Sequence, residues 1–144
     1  FKAGSPVHLR YPSAVRPWQH VLDCLAGYLV LTEALLSGGG HGAWNFGPEP
    51  AAFRTVQETA ELAGQAWGSG QAWVADESEH PHEAELLTLD ASRARSELGW
   101  RDRLDYQAAI EWTVDWEKRV HEGANAREVS LGQIAQFEGL GRSS

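Results

Sequence analysis

The sequence contains no methionine and one cysteine, Cys24. A lone cysteine excludes an intramolecular disulfide, and a reducing cytoplasm is the expected compartment. Cys24 sits in an apolar run, where core packing and a nucleophilic role are the two readings open to it. An excess of positive charge is also lacking. Lys plus Arg is 12 and Asp plus Glu is 20, a formal charge of −8. That balance disfavours nucleic acid and anionic membrane surfaces as partners. It leaves room for a small anion gripped by a local basic cluster. No long hydrophobic run is present. The longest, residues 21–36, is interrupted by Asp23, Thr32 and Glu33. It is too short and too polar to span a bilayer, and no signal-peptide pattern stands in the sequence. Nor does an initiator methionine open it: "FKAGSPVHLR" reads as an entry in mid-protein, so a fragment or excised domain is expected.

What is present suits one folded domain over residues 1–144, with a frayed tail over 139–144. Apolar residues make up 42% and charged residues 22%, the ordinary globular range. "VHLRYP" alternates and predicts a short strand over Val7 to Arg10. "AVRPWQ" predicts a loop, because Pro17 pushes its predecessors toward extended backbone. A helix is predicted over 20–36, with Val21, Leu22, Leu25 and Leu29 marking its spacing and Gly38 to Gly40 stopping it. Residues 43–48, "AWNFGP", predict a buried strand. Phe53, Val56, Ala60, Ala63 and Trp67 predict an amphipathic helix over 52–67.

"QAWVAD" predicts a further strand, "ESEHPHEAE" a polar loop and "LLTLD" an extended segment. A short helix over 91–100 is capped by Asp90 or Ser92 and ended by Gly99. Asp105 caps the longest helix, Tyr106 to about His121, with Ala109, Ile110, Trp112 and Trp116 on its apolar face. Ser130 and Gln133 read as a capping box opening a last short helix. Short strands between helices predict an α/β architecture: a small sheet of three or four strands, partly parallel, with about five helices.

Three stretches invite chemistry. The run Gly38-Gly39-Gly40-His41-Gly42 suggests a phosphate loop, but it follows a helix and opens a strand, the reverse of a dinucleotide loop. A flexible turn is the reading. "HPHE" offers His80, His82 and Glu83, with Asp76 and Glu79 close by. It reads as a loop lining a ligand cleft or as plain surface, and no compact metal-ligand set is evident. "VRPWQH" places Arg16, Trp18 and His20 just before a helix. A guanidinium there can grip phosphate oxygens in a bidentate way, and the helix N-terminus adds positive potential. A surface arginine in a polar turn is the competing reading. Trp18 can stack on a ring or fill a core.

These stretches carry a resemblance. "RYPSAVRPWQHVLDCLAGYLVLTEALL", "AWNFGPE" and "HPHEAELLTLDASRARSELGWRDRLDYQAAIEWTVDW", in that order, resemble the C-terminal part of the CDP-glucose 4,6-dehydratases. Those enzymes are extended short-chain dehydrogenase/reductases acting on nucleotide sugars in deoxysugar or O-antigen biosynthesis. "VRPWQHV" and "HPHEA" are the specific motifs; "NFGP" and "LDASRARSELGWR" are general to the superfamily. The resemblance implies a small substrate-binding lobe without the Rossmann lobe. It implies that Arg16 holds the diphosphate of CDP-glucose, that Glu83 accepts from the ribose hydroxyls, and that Asn45 shapes the nucleotide pocket. His80, His82, Trp18 and His20 join them as substrate-binding candidates.

The family's reaction oxidises the sugar with bound NAD, eliminates water and returns the hydride. It needs a Gly-rich loop after a first strand and a Tyr-x-x-x-Lys pair. Four residues beyond Tyr11, Tyr28 and Tyr106 stand Val15, Thr32 and Ile110, none of them lysine. No catalytic residue, metal ligand or cofactor is therefore assigned to this chain, and NAD belongs to the full-length family enzymes. The expected function is the nucleotide-sugar-binding portion of such a dehydratase, inactive alone. The alternatives are a stand-alone nucleotide- or protein-binding module, or a remnant that self-associates through the face a cofactor lobe would cover.

Overall fold

A computed structural model describes residues 1–76, 78, 80–81 and 84–141. Four short strands and five α-helices follow one another along it: β1 (Val7–Leu9), β2 (Val15–Pro17), α1 (Val21–Leu36), β3 (Phe53–Thr55), α2 (Val56–Trp67), β4 (Trp73–Ala75), α3 (Ser92–Glu97), α4 (Tyr106–His121) and α5 (Ala126–Leu140). This is the small α/β lobe of few strands and five helices that the sequence pattern predicts. The strands do not form one sheet, however. β1 pairs in parallel with β4, and β2 pairs antiparallel with β3.

The extended backbone demanded by Pro17 is used in a ladder rather than a loop. β2 holds Val15 opposite Thr55, Arg16 opposite Arg54 and Pro17 opposite Phe53. Pro17 ends the strand, where its missing N–H costs no ladder bond. On its other edge Val15 N donates to Glu85 O at 2.7 Å, and Leu87 N donates to Val15 O at 3.1 Å. β2 thus lies between β3 and the segment that follows "HPHE". Phe53 to Thr55, predicted as the first turn of a helix, is strand β3. Thr55 then caps α2 in a reciprocal box: Glu58 N donates to Thr55 Oγ1 at 3.1 Å, and Thr55 N donates to Glu58 Oε2 at 2.8 Å.

Residues 43–48 form no strand. They carry Phe46 into a core with Ala91, Ala94 and Trp100. Phe46 meets Trp100 edge-on at 5.3 Å between centroids, and Trp100 Nε1 donates to Asp23 O at 3.2 Å. A second cluster joins Leu104, Ala109 and Phe137, with Leu22 and Trp112 packed against it. The last helix is longer than predicted and begins earlier. Asn125 caps it, accepting from Arg127 N and Glu128 N. Ser130 and Gln133 lie in its middle. Ser130 Oγ accepts from Trp116 Nε1 at 3.0 Å, and Gln133 Nε2 donates to Trp112 O at 2.8 Å, so both fasten α5 to α4. The tertiary bonds that these two side chains make, not a cap, account for the S-x-x-Q pattern.

α1 has the predicted length, and it packs Leu22 against Leu104, Ala109 and Phe137 while turning other apolar residues outward. Its buried residues are Asp23 and Gly27. Of the four residues that mark its spacing, Leu22 is half-buried, while Val21, Leu25 and Leu29 are 60%, 47% and 67% exposed. Gly27 explains the choice: a Cβ there would sit 2.3 Å from the Phe46 ring, so only glycine admits that ring against the helix. Among the described residues no helix is long and apolar enough to cross a membrane.

Candidate functional site

The site grows from β1 and β2. Alternation along "VHLR" buries Leu9 and leaves His8 and Arg10 exposed. With Tyr11 and Arg16 they line a cleft of about 240 Å³ floored by Ala14 and Val56. Arg16 Nη1 donates to Val15 O at 2.8 Å, which fixes the side chain to its own strand. The register sets Arg54 directly opposite on β3. Arg54 turns away instead: its Nη1 donates to Ala51 O at 2.6 Å, and its guanidinium lies 5.3 Å from the centroid of the Tyr106 ring. Two like charges at one register position are thus kept apart by separate partners.

His80 and Pro81 reach the same cleft through Tyr11. Tyr11 Oη donates a short hydrogen bond to Pro81 O, and its ring meets the His80 ring edge-on at 6.1 Å. His80 Nε2 lies 3.2 Å from Asp76 Oδ2 and 3.1 Å from Ser78 Oγ. The Asp76 carboxyl is held below its ordinary value, first by the hydrogen bonds from Ser78 and then by His80. His82 and Glu83 lie outside the described residues. Arg16 and His80, far apart in sequence, are therefore brought together by Tyr11. Sequence reasoning missed Tyr11, His8 and Arg10, although the alternation of "VHLRY" already places His8 and Arg10 on one strand face.

The other candidates go elsewhere. Trp18 Nε1 donates to Arg54 O at 3.0 Å, so its ring is half-buried beside β3. Asn45 is exposed and donates through Nδ2 to Asp90 O at 3.2 Å, beside the start of α3. His20 is 4% exposed and caps α1: its Nδ1 accepts from Leu22 N at 3.2 Å. It stands edge-on to Trp112 at 5.9 Å, and burial holds its pKa below the ordinary histidine value. The neutral ring then carries its proton on Nε2. His20 lines a second, apolar groove with α4 and α5 rather than the Arg16 cleft. A third and larger cleft, about 690 Å³, runs past Arg54, Arg101, Arg103 and Tyr106. Its guanidiniums are engaged with main-chain oxygens: Arg101 with Arg95 O and Trp100 O, Arg103 with Phe137 O.

The glycine run does not make a dinucleotide loop. Gly38, Gly40 and Gly42 have positive φ angles of 84°, 72° and 95°, follow the end of α1, and lead into residues 43–48, which form no strand. The strand–loop–helix arrangement that NAD requires is not built by these residues. Among the described residues no group of three or more His, Cys, Asp and Glu side chains is placed to hold a metal ion.

The class defined by this fold is a small α/β lobe, five helices around short strands, consistent with the smaller lobe of an enzyme of the short-chain dehydrogenase/reductase type. No family model matches the chain. It is 34% identical over 139 residues to the CDP-glucose 4,6-dehydratase of Salmonella typhimurium. That alignment takes in 95% of this chain and 39% of the dehydratase, so the chain spans about two-fifths of its relative's length. The similarity agrees with the resemblance carried by the R-P-W-Q-H and H-P-H-E motifs.

Proposed function

We propose that this chain is the nucleotide-sugar-binding lobe of a cytoplasmic CDP-glucose 4,6-dehydratase-like enzyme, and that it catalyses nothing alone. The observation carrying this reading is the cleft in which Arg16, Arg10 and His8 meet the His80–Pro81 turn across Tyr11. A chain of charge −8 repels a nucleotide diphosphate at long range, so binding needs such a local basic cluster. In this reading Arg16 grips the diphosphate, with Arg10 beside it. His80 stands beside Tyr11 at the cleft, and Glu83 accepts from the ribose hydroxyls. In this reading oxidation of the sugar belongs to NAD held by another part of a longer enzyme, because the glycine run at 38–42 follows a helix rather than a strand. CDP-glucose incubated with this chain and NAD is accordingly expected to yield no 4-keto-6-deoxy product.

Calorimetry with CDP and cytidine tests the reading. A charge-assisted bidentate contact contributes roughly 1.5–3 kcal/mol, so Arg16→Ala is expected to weaken CDP binding by about ten- to a hundredfold. Cytidine, without the diphosphate, loses little. Arg16→Lys recovers only part, because an ammonium cannot copy the guanidinium fork. Equal losses for both ligands, or none for either, return Arg16 to the role of a polar strand residue.

A further inference from the structure

Tyr11 ties together two segments that lie 70 residues apart in sequence. Its backbone rests on a firm base. Ala14 N donates to Tyr11 O at 3.1 Å, and Gln57 N, in the first turn of α2, donates to Pro12 O at 2.9 Å. From there Tyr11 lines the Arg16 cleft, and its Oη donates to Pro81 O. The segment that contains Pro81 is fastened to the same stretch of chain at both ends. Asp76 N donates to Leu9 O at 2.9 Å at one end, and Val15 N donates to Glu85 O at 2.7 Å at the other. Tyr11 lies between Leu9 and Val15 in sequence and supplies a tie between those two. The His80 ring meets the Tyr11 ring edge-on and has the Asp76 carboxylate at 3.2 Å. Pro81 is exposed, so water serves its carbonyl about as well as a phenol does. The Tyr11 bond therefore adds little to folding stability. What it fixes is the place of the His80–Pro81 turn beside the cleft.

We propose that Tyr11 is a positioning residue for ribose recognition. It holds the turn at the cleft so that Glu83, two positions beyond Pro81 in the sequence, meets the ribose hydroxyls. This inference rests on the nucleotide-sugar reading, which gives Glu83 that contact. A loop pinned in its binding geometry before the ligand arrives loses no further freedom on binding, and the saving appears as affinity. Only a ligand that uses the turn collects it. A nucleotide without ribose hydroxyls gains nothing from Tyr11, whereas Arg16 acts on the diphosphate of either nucleotide. The two residues thus leave different signatures at one site.

Calorimetry with CDP and its 2′,3′-dideoxy analogue reads those signatures. The parent chain is expected to prefer CDP. Tyr11→Phe keeps the ring and is expected to weaken CDP by about three- to tenfold and the dideoxy analogue by less than about twofold, so the preference shrinks. Arg16→Ala is expected to weaken both alike and keep the preference. Glu83→Ala is expected to remove the preference, and adding Tyr11→Phe to it costs no more, because the tyrosine acts through the turn that leads to Glu83. Equal weakening of both ligands by Tyr11→Phe overturns the inference and makes Tyr11 a structural residue. An undiminished preference in Tyr11→Phe overturns it equally, while leaving the Arg16 reading intact. A parent chain with no preference removes the Glu83 contact itself, and the inference with it.

Discussion

The Asp23 carboxylate accepts the backbone N–H of Arg103 at 2.7 Å through Oδ1 and that of Leu104 at 3.3 Å through Oδ2. Asp23 is fully buried, and its own carbonyl accepts from Trp100 Nε1. One residue of α1 thus anchors the whole turn between α3 and α4. Burial pushes its pKa up to about 6, against the two N–H donors, which pull it down. A raised acid favours folding when protonated. Its contribution is complete below about pH 4 and is lost as pH rises through about 6. The chain is expected to gain on the order of 2 kcal/mol from this group between pH 7 and pH 4, read by urea unfolding at each pH. Asp23→Asn is expected to abolish that gain. Asp23→Ala is expected to cost roughly 2–4 kcal/mol at any pH, because two buried N–H groups lose their acceptor.

His20 works in the opposite direction. Burial lowers its pKa, so the neutral ring favours folding, and this contribution is present above about pH 6.5 and lost on acidification. In an Asp23→Asn background, stability is expected to fall as pH drops below about 6.5. His20→Asn keeps an oxygen to cap α1 and is expected to remove that fall, whereas His20→Ala costs about 1 kcal/mol through the lost cap. An acid limb surviving in Asp23→Asn/His20→Asn would assign it to another group.

Gly27 is expected to tolerate no side chain. The Cβ of alanine would lie 2.3 Å from Phe46 Cδ1 and 2.6 Å from Cγ. Helix propensity favours Gly27→Ala by up to about 1 kcal/mol, but overpacking of this kind costs about 1–3 kcal/mol. A net loss of stability is expected in thermal unfolding. Phe46→Leu, which makes room, is expected to make Gly27→Ala less costly than in the parent, giving a favourable coupling in the double-mutant cycle.

The sequence by itself determined the local elements. Periodicity placed α1, α2 and α4, Asp105 marked the start of α4, and the reach of Gly38 and Gly99 marked ends, because these features depend only on neighbours along the chain. Even the missed cap was legible: Thr55 and Glu58 form the same T-x-x-E signature that was sought at Ser130 and Gln133. Part of the binding candidate was legible too, since Arg16 and the His80 turn stood out by residue type. Tertiary structure decided the rest. Arg16 lies in a strand because Val15 finds ladder partners at Thr55 and Leu86, which no local pattern names. Tyr11 joins Arg16 to His80 only once the chain has folded back on itself. The apolar stripe of α1 was visible in the sequence, but its direction was not. Here the space left by Gly27 for Phe46 and the two N–H groups offered to Asp23 turned Val21, Leu25 and Leu29 outward, while Leu22 stayed against the core.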